Sequence, residues 1–299
     1  MDNILRKMTF WRKQKSVFTL GLYLTQSSLW LYCPETNEQA PICREIPVDN
    51  NQWKSAFSIV AADYPNASIQ LVLGFGRYQL LQIDKPAADE DTISQVLLMA
   101  VKDLVTYPIH EIHLDHFASP QPNKVNVVVC ERSKLQSLIV AAQEAGLSFN
   151  GISIEELMLT HLYTQDGAID DSARLILFQK NNSELLLAII KSGELLLQRR
   201  VRGFHALDAM TREDIAYGVA DNLSIEIQRS MDFYESQLRQ APVSQIQVLV
   251  ENIGEPLAQA LDNNFGQSVQ AMTSTSMNEL IAQLALKEHE LEAMNEKQD

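Results

Sequence analysis

Three histidines at a regular spacing, His110, His113 and His116, are the first candidates for chemistry in this sequence. Imidazole is a common ligand of zinc, and a zinc site gathers three or four such side chains around one point. Neighbouring members of this series point to opposite faces of a strand, because strand side chains alternate every residue. The spacing therefore favours structural or solvated histidines, and we expect no metal site.

Other motifs of known chemistry are weak or missing. Gly74 and Gly76 supply only the first half of the G-x-G-x-x-G pattern that approaches phosphates, and no Walker A, H-E-x-x-H, EF-hand or G-x-S-x-G motif is present. The three cysteines, Cys33, Cys43 and Cys130, are odd in number and far apart, which is typical of reduced thiols in a cytosolic protein. The sequence thus predicts no catalytic residue of these classes.

The composition excludes some partners. The 299 residues are 46% hydrophobic and 21% charged, which is typical of a folded chain with more than one core. A net charge of −14 repels phosphate backbones and argues against binding of nucleic acid. No apolar run approaches the roughly 20 residues that span a bilayer, and no secretory signal is recognisable. We therefore expect a cytoplasmic protein.

The N-terminal segment, residues 1–15, has the opposite charge. It carries five basic residues and one acidic residue, and Ile4, Leu5, Met8 and Trp11 would share one face of a helix. Basic amphipathic segments of this kind bind anionic membrane surfaces. The alternative is a chain end that packs on the edge of a domain, and the short length of the segment favours this alternative.

The elements that would position functional residues form two similar series. Predicted strands at 17–24, 29–33 and 42–48 precede a helix at 52–64 and a strand at 69–73. The same order returns as strands at 173–179, 184–191 and 194–201, a helix at 212–239 and a strand at 246–250. Between the series, a helix, two strands and a second helix over 89–145 indicate an inserted unit, closed by Gly146 as a helix C-cap.

This duplication predicts an α/β protein of two similar lobes. The predicted division is a basic segment at 1–15, a first lobe at 16–77 and 147–166, an inserted subdomain at 78–146 and a second lobe at 167–299. The acidic stretch 278–299 is predicted to be helical.

Four stretches resemble one known family and follow one another in that family's order: Tyr107–His116, Val125–Ile154, Leu185–Val201 and Leu223–Leu238. The first reads YPIHEIHLDH, and the last reads LSIEIQRSMDFYESQL. They resemble the PilM-like family of type IV pilus assembly, and most of all its MshI branch, which serves the mannose-sensitive haemagglutinin (MSHA) pilus. The resemblance implies the actin-like ATPase fold, with duplicated RNase H-like lobes, a small α/β subdomain inserted in the first lobe and a reduced outer subdomain in the second.

The same resemblance implies where a nucleotide would bind and shows that this sequence departs there. Tyr23 stands where the family has the Asp of the first phosphate loop, and Thr25 stands where it has Gly. The second phosphate loop begins near Gln179, with Asn181 at the Gly position. Without a carboxylate on either loop, Mg²⁺ lacks a protein ligand, and phosphoryl transfer loses its main electrostatic support.

Further positions of the implied nucleotide site also depart. Glu251 and Asn252 replace the Gly-Gly pair of the adenosine side, and Arg229 belongs to the family's most recognisable helix. We therefore expect a pseudo-ATPase without catalytic residues, in which the fold serves as a scaffold. No cofactor is expected, and binding of ATP and Mg²⁺ is disfavoured.

The resemblance also implies a partner. Proteins of this family capture the cytoplasmic N-terminal peptide of a PilN-like inner-membrane protein in a groove between the first lobe and the inserted subdomain. Tyr107, Pro108, Ile109 and Glu111 are the matching stretch, although they would serve equally well as subdomain core. The protein is then expected to be cytoplasmic and peripherally attached to the inner membrane. Two alternatives stay open: a nucleotide-binding actin-like ATPase, and a GspL-like cytoplasmic component of type II secretion.

Overall fold

The computed structural model of the chain describes residues 18–35, 40–49, 51–165, 168–169, 171–181, 183–272 and 276–295. The basic segment 1–15 lies outside these ranges, so its helix stays a prediction. Among the helices within them, none combines the length and the apolar character that a membrane crossing requires.

The first half of the chain contains eight strands and four α-helices among its described residues. In chain order they are β1 (Thr19–Leu24), β2 (Ser28–Cys33), β3 (Ile42–Pro47), α1 (Trp53–Asp63), β4 (Ser68–Leu73), β5 (Gln79–Asp84), α2 (Glu90–Val101), β6 (Ile112–Ala118), β7 (Lys124–Glu131), α3 (Arg132–Glu144), β8 (Ser148–Ile154) and α4 (Glu155–Met158). A 3-10 turn, Ile109–Glu111, precedes β6, and another, Leu159–Tyr163, follows α4.

The second half repeats the series after two short strands. Its elements are β9 (Thr164–Gln165), β10 (Ala168–Ile169), β11 (Arg174–Gln179), β12 (Leu185–Lys191), β13 (Glu194–Val201), α5 (Arg212–Asp214), a π-helical turn (Ile215–Val219), α6 (Ala220–Ser236), β14 (Gln245–Val250), α7 (Gly254–Asp262), β15 (Ser268–Ala271) and α8 (Met277–Asn295). The predicted helix at 212–239 is thus continuous but carries a π-helical turn near its start.

Two five-stranded sheets have the same topology. The first sheet has the order β3-β2-β1-β4-β8, and the second has the order β13-β12-β11-β14-β15. In each, the first three strands are antiparallel, and the two later strands run parallel to the central one. The predicted duplication is therefore confirmed. Each sheet also has a fifth strand, which is β8 in the first sheet and β15 in the second. The predicted reduction of the second lobe is also confirmed, because only a 3-10 turn, Leu207–Ala209, lies between β13 and α5.

Each sheet is covered on both faces, which explains the continuous apolar runs in its central strands. In β11, Leu175 and Leu177 face the core beneath α6 and α7, whereas Ile176 and Phe178 face the other lobe. The latter two belong to a core that the lobes share. Its members come from β1, β4, α4, β11, β12, β14 and α8: Tyr23, Val72, Met158, Ile176, Phe178, Leu186, Ala188, Leu249, Ile281, Ala282 and Ala285 among others.

The inserted unit differs from its prediction in two ways. It has a third strand, β5, in a sheet of order β5-β7-β6, and its first helix ends at Val101 instead of Tyr107. The six residues of β5 alternate only weakly between apolar and polar, so their pattern is hard to recognise as a strand. Pro108 disfavours helical geometry only at Tyr107, so it does not explain why α2 already ends at Val101.

Helix α3 packs against the first lobe. Its Leu138, Ala141 and Ala142 belong to the core beneath the first sheet, and Trp53 Nε1 of α1 donates to Ser137 Oγ at 3.0 Å. Gly146 after α3 has φ +84°, the left-handed geometry expected of a C-cap glycine.

Candidate functional site: the cleft between the lobes

The central strands of the two sheets end at the cleft and deliver one side chain each. Tyr23 lies next to the last residue of β1, and Lys180 directly follows β11. Tyr23 is fully buried, and the Lys180 ammonium lies 4.8 Å from the centre of its ring. These positions match the ends of the strands that carry the phosphate loops implied by the resemblance. Tyrosine and lysine occupy them here.

Two glutamates from the first lobe meet two cations from the second lobe. Glu155 and Glu156 begin α4, directly after β8, and both are buried. Lys180 Nζ lies 2.6 Å from Glu155 Oε2, and Arg200 Nη2 lies 3.0 Å from Glu155 Oε1 and 2.7 Å from Glu156 Oε1. The side chains of Lys180 and Arg200 are only 12% and 11% exposed. Three buried ion pairs therefore join the lobes.

Two tyrosines complete this arrangement. The Tyr23 hydroxyl donates to Glu155 and accepts from Lys180, and the Tyr78 hydroxyl donates to Glu156. We call the six side chains the interlobe charge cluster: Tyr23, Tyr78, Glu155, Glu156, Lys180 and Arg200. Two positive and two negative charges balance within it, so the cluster fills the cleft without a net charge. The Arg200 guanidinium also stacks 3.9 Å from the centre of the Phe75 ring.

The surroundings shift the pKa values of Glu155, Tyr23 and Tyr78. Burial by itself raises the pKa of Glu155, but the charges of Lys180 and Arg200 outweigh burial and lower that pKa to about 2. Burial first, and then the neighbouring glutamate charges, raise the pKa of Tyr23 and of Tyr78 well above the ordinary value. At neutral pH both tyrosine hydroxyls are therefore protonated, and they donate hydrogen bonds to Glu155 and Glu156.

The first phosphate loop corresponds to the turn Thr25–Ser28 between β1 and β2. Thr25 Oγ1 accepts from the backbone N–H groups of Ser27 at 3.3 Å and Ser28 at 3.0 Å. Arg77 covers the same turn from outside, since its guanidinium donates to Thr25 O at 3.0 Å and Gln26 O at 2.7 Å. The N–H groups of Ser27 and Ser28 are thus bound by a side chain of the turn itself.

The second phosphate loop follows β11 and is likewise bound internally. Gln179 is fully buried, and its Nε2 donates to Ser183 O and Phe204 O. The backbone N–H of Asn181 donates to Glu251 Oε2 at 3.0 Å. The other carboxylate oxygen, Glu251 Oε1, accepts from the backbone N–H of Met277 at 2.8 Å, at the start of α8.

The carboxylate of Glu251 thus accepts the hydrogen bond from the Asn181 N–H, which a phosphate would need in the implied second loop. Asn252, beside Glu251, has φ +62°, a left-handed geometry that glycine adopts freely and asparagine tolerates. Its amide donates to Asp208 O at 3.3 Å. The structure therefore brings Gln179, Asn181, Glu251 and Asn252 together, as the resemblance implies.

A cavity of about 400 Å³ lies beside these residues. Both Glu251 and Glu255 line it, so its carboxylates oppose the entry of a phosphate group. The side chains at the implied phosphate positions do not fit magnesium. Neither phosphate turn carries a carboxylate of its own, Glu251 already accepts from two backbone N–H groups, and Glu155 and Glu156 are paired with cations.

Arg229 lies apart from this arrangement. It is on α6 with its side chain 66% exposed, and its Nη1 lies 2.5 Å from Glu226 Oε1. It lines a separate groove beside β13. The structure does not bring it together with the other positions of the implied nucleotide site.

Replacing Glu251 with alanine is expected to lower the free energy of unfolding by about 2 kcal/mol. The change leaves the N–H groups of Asn181 and Met277 without their acceptor. Asn181 is exposed and can bind water, but the Met277 N–H is buried, and a buried unpaired donor costs about 1–3 kcal/mol. Glu255→Ala is the matched control, because this exposed carboxylate lines the same cavity and adds only a helix-dipole contribution below about 1 kcal/mol. Urea-induced unfolding of both variants measures the difference, and equal losses would refute the bridging role of Glu251.

Sequence reasoning missed five of the six members of the interlobe charge cluster: Tyr78, Glu155, Glu156, Lys180 and Arg200. One local signal was available, because Glu155 and Glu156 directly follow the buried end of β8 and would be costly there without cations. The cations come from β11–β12 and β13, so their identity depends on how the lobes stack.

A groove between the first lobe and the inserted unit is the second candidate site. It has a volume of about 570 Å³ and lies between α3, β8 and the inserted sheet. Its lining is largely apolar, with Val128, Leu135, Ile139, Val140, Ile152 and Ile154, and His113, Asp115 and Arg132 lie at its rim. Val140 and Ile152 are 44% and 36% exposed, which is unusual for aliphatic side chains inside a folded domain. We call this the lobe–insert groove.

The residues predicted for a peptide groove lie next to it. Tyr107 lines a small recess of about 70 Å³ that shares Leu73, Cys130 and Leu135 with the lobe–insert groove. Ile109 is 42% exposed, and Pro108 is exposed. Glu111 Oε2 accepts from the backbone N–H of Ser133 at 3.1 Å and so caps the start of α3. In the described residues no three His, Cys, Asp or Glu side chains, the histidine series included, are grouped so that they could hold a metal ion.

Comparisons with known proteins show what the chain is similar to. No protein-family profile and no curated protein sequence matches it. The PilM–PilN type IV pilus biogenesis complex is similar over 91% of this chain and 98% of that chain, with a TM-score of 0.64 and 16% identity. The cytoplasmic domain of EpsL, an inner-membrane component of the type II secretion system of Vibrio cholerae, is similar over 90% and 94%, with a TM-score of 0.54 and 14% identity.

A Bacteroides thetaiotaomicron protein with an actin-like ATPase fold and unknown function is similar over 89% of this chain and 95% of that chain, with a TM-score of 0.51 and 14% identity. Likeness at such low identity concerns the fold alone. The expectation from the four sequence stretches is confirmed at this level: the chain has the actin-like ATPase fold.

Proposed function

We propose that this protein is a cytoplasmic scaffold of type IV pilus assembly, of the MshI type, that works without hydrolysing ATP. One observation carries the proposal: the cleft that would receive a nucleotide contains the interlobe charge cluster, while the apolar lobe–insert groove is open. The likeness to the PilM–PilN complex and the four matching stretches support the choice of system.

The pseudo-ATPase part of the proposal is supported by the internal pairing of both phosphate turns. A nucleotide would have to displace Thr25 from two N–H groups and Glu251 from a third, and it would bring phosphates towards two carboxylates. Isothermal titration with Mg-ATP is expected to give no binding heat, and a phosphate-release assay is expected to give no turnover. Micromolar binding with measurable turnover would overturn this part and favour a working actin-like ATPase.

The proposed ligand of the lobe–insert groove is the cytoplasmic N-terminal peptide of a PilN-like inner-membrane protein. The groove offers aliphatic side chains for apolar residues of the peptide, and β6 at its rim is the last strand of the inserted sheet in the described structure. Extended peptides bind such sites through apolar pockets and backbone hydrogen bonds to a strand edge. Since the acidic protein is repelled by anionic lipids, the captured peptide would hold it at the cytoplasmic face of the inner membrane.

Val140→Asp is expected to weaken capture of that peptide by about tenfold or more. The substitution places a carboxylate among the aliphatic side chains of the groove, where it loses hydration on peptide binding. Val96→Asp is the matched control, because Val96 is similarly exposed, at 38% against 44%, and lies on α2 outside the groove. Fluorescence anisotropy with a labelled peptide of the PilN-like partner, without nucleotide, measures both affinities.

Equal weakening by Val140→Asp and Val96→Asp would contradict the assignment of the groove, and binding only in the presence of ATP would contradict a nucleotide-independent scaffold. An Ile109→Asp variant tests the stretch that the sequence predicted, because Ile109 is 42% exposed and lies two residues from Tyr107, which lines the recess. Weaker capture of the peptide is expected if Ile109 contacts it.

A second candidate is a GspL-like component of type II secretion, which the likeness to the EpsL cytoplasmic domain favours. The same titration separates the two. A type II secretion component is expected to ignore the PilN-like peptide, and Val140→Asp would then change nothing that the assay measures.

A further inference from the structure

The outer edge of β13 borders a second groove, on the opposite lobe. In the described structure β13 is the last strand of the second sheet and pairs only with β12, so a row of its backbone N–H and C=O groups faces away from the sheet. Five consecutive residues, Leu195–Arg199, line a groove of about 350 Å³. Because consecutive strand residues alternate in direction, a groove lined by all five runs along the strand's backbone edge.

The groove has one apolar wall and one polar wall. Helix α6 contributes Phe233, which is 42% exposed and forms the apolar wall. Across the groove lie Gln82 and Asn126 of the inserted sheet, whose amide nitrogens donate to Ser119 Oγ and Ala118 O within the inserted unit. An extended segment would find backbone partners on one side, an apolar contact below and a polar wall opposite.

The charge of the groove selects the partner. Arg199 and Arg229 both pair with one carboxylate, Glu226, whose side chain is 18% exposed. One positive charge therefore remains uncompensated, and Arg229, with 66% of its side chain exposed, presents it at the groove. In a chain with a net charge of −14, such a local positive charge attracts acidic groups that the rest of the surface repels.

We propose that this β13-edge groove binds a short extended segment of a partner protein that alternates apolar and acidic residues. The segment adds a strand to β13, places its apolar side chains against Phe233 and pairs a carboxylate with Arg229. The register shift between Ile189 and Ile190 of β12 leaves Leu196 as an extra residue in β13, so the regular edge is short and accepts a short strand. The site is distinct from the lobe–insert groove and does not depend on it.

A fluorescein-labelled hexapeptide of alternating Val and Glu is the probe, and a peptide of alternating Val and Lys is its matched partner. The Val-Glu peptide is expected to bind and to slow amide hydrogen exchange over Leu195–Arg199. Arg229→Glu is expected to weaken its binding by about tenfold, because a like charge replaces the opposite one. Phe233→Ser is expected to weaken it as well, whereas Lys102→Glu, an equal charge change on the exposed surface of the inserted unit, is expected to leave it unchanged.

Several results would overturn the proposal: no anisotropy change with the Val-Glu peptide, equal binding of both peptides, or protection of a different segment. If β13 amides are already protected without peptide and sedimentation shows dimers that Arg229→Glu dissociates, the occupant is a second copy of this chain. Val140→Asp, which tests the lobe–insert groove, is expected to leave this binding unchanged, so the two proposals fail separately.

Discussion

Replacing Glu155 with glutamine is expected to lower the free energy of unfolding by about 3–5 kcal/mol. Glutamine keeps the volume of the side chain but removes the negative charge that faces Lys180 and Arg200, whose side chains are 12% and 11% exposed. Cations buried to this degree are poorly hydrated, so water cannot replace the lost carboxylate. Removing one member of the ion pairs therefore lowers the free energy of unfolding by more than the intact pairs contribute to it. Urea-induced unfolding followed by circular dichroism measures the loss.

Glu144→Gln provides the matched control for this effect. Glu144 of α3 pairs with Lys54 of α1 at 3.2 Å, and the side chains are 55% and 79% exposed. Exposed pairs contribute between about 0 and 1 kcal/mol, so this variant is expected to unfold nearly like the unmodified protein. Similar losses in the two variants would show that burial of the interlobe charge cluster has no energetic consequence.

The same cluster predicts how stability depends on acid. In the folded protein the pKa of Glu155 is lowered from about 4.5 to about 2 by Lys180 and Arg200, against the opposing effect of burial. Between these two pH values the unfolded chain therefore binds a proton that the folded chain does not. The contribution of Glu155 to stability is complete above about pH 4.5 and is lost as the pH falls towards 2. In the Glu155→Gln variant this part of the acid dependence is expected to be absent.

Replacing Gly21 with alanine is expected to lower the free energy of unfolding by about 3 kcal/mol. A Cβ atom at Gly21 would lie 1.9 Å from the backbone oxygen of Ala282 and 3.2 Å from Leu286 Cγ. A backbone atom cannot rotate away, so α8 must shift from the first sheet. That shift opens the core the lobes share, in which Ile281, Ala282 and Ala285 are fully buried.

Gly266→Ala adds the same methyl group where no atom lies within 4 Å. It is expected to change the free energy of unfolding by less than about 1 kcal/mol and can stabilise the folded state by restricting the unfolded chain. Amide hydrogen exchange locates the effect: Gly21→Ala should accelerate exchange in α8 before the rest of the second lobe. Unchanged protection of α8 would contradict the close packing at Gly21.

The strands and their order could be predicted because their signals are local. Leu185–Ile190 is a continuous apolar run, and in the structure this strand is buried on both faces, by the core beneath α6 on one side and the shared core on the other. The strand β5 and the end of α2, in contrast, could not be predicted from the sequence. The half-buried strand β5 has a mixed apolar and polar pattern, and it is a strand because it pairs with β7. That pairing cannot be read from its own six residues.

The peptide-groove prediction shows a similar division. Tyr107 lies where the first lobe meets the inserted unit, as the matching stretch implies, but the larger part of the lobe–insert groove consists of α3, β7 and β8. Val128, Ile139 and Ile152 lie in three separate elements, and the residue pattern of no single element indicates a groove. They line one groove only because of the angle at which the inserted sheet packs on the first lobe.

The sequence by itself determined the duplicated sheets, because they follow from residue types along short segments. The departures at Tyr23, Thr25 and Asn181 are what the resemblance to the PilM-like family implies. Only the tertiary structure decided what fills the cleft. Glu155 meets Lys180 and Arg200 across 25 and 45 positions of the chain, and Glu251 reaches Asn181 across 70. Charges can be buried in the cleft because the packing of the two lobes brings oppositely charged side chains together. No local sequence pattern predicts that packing.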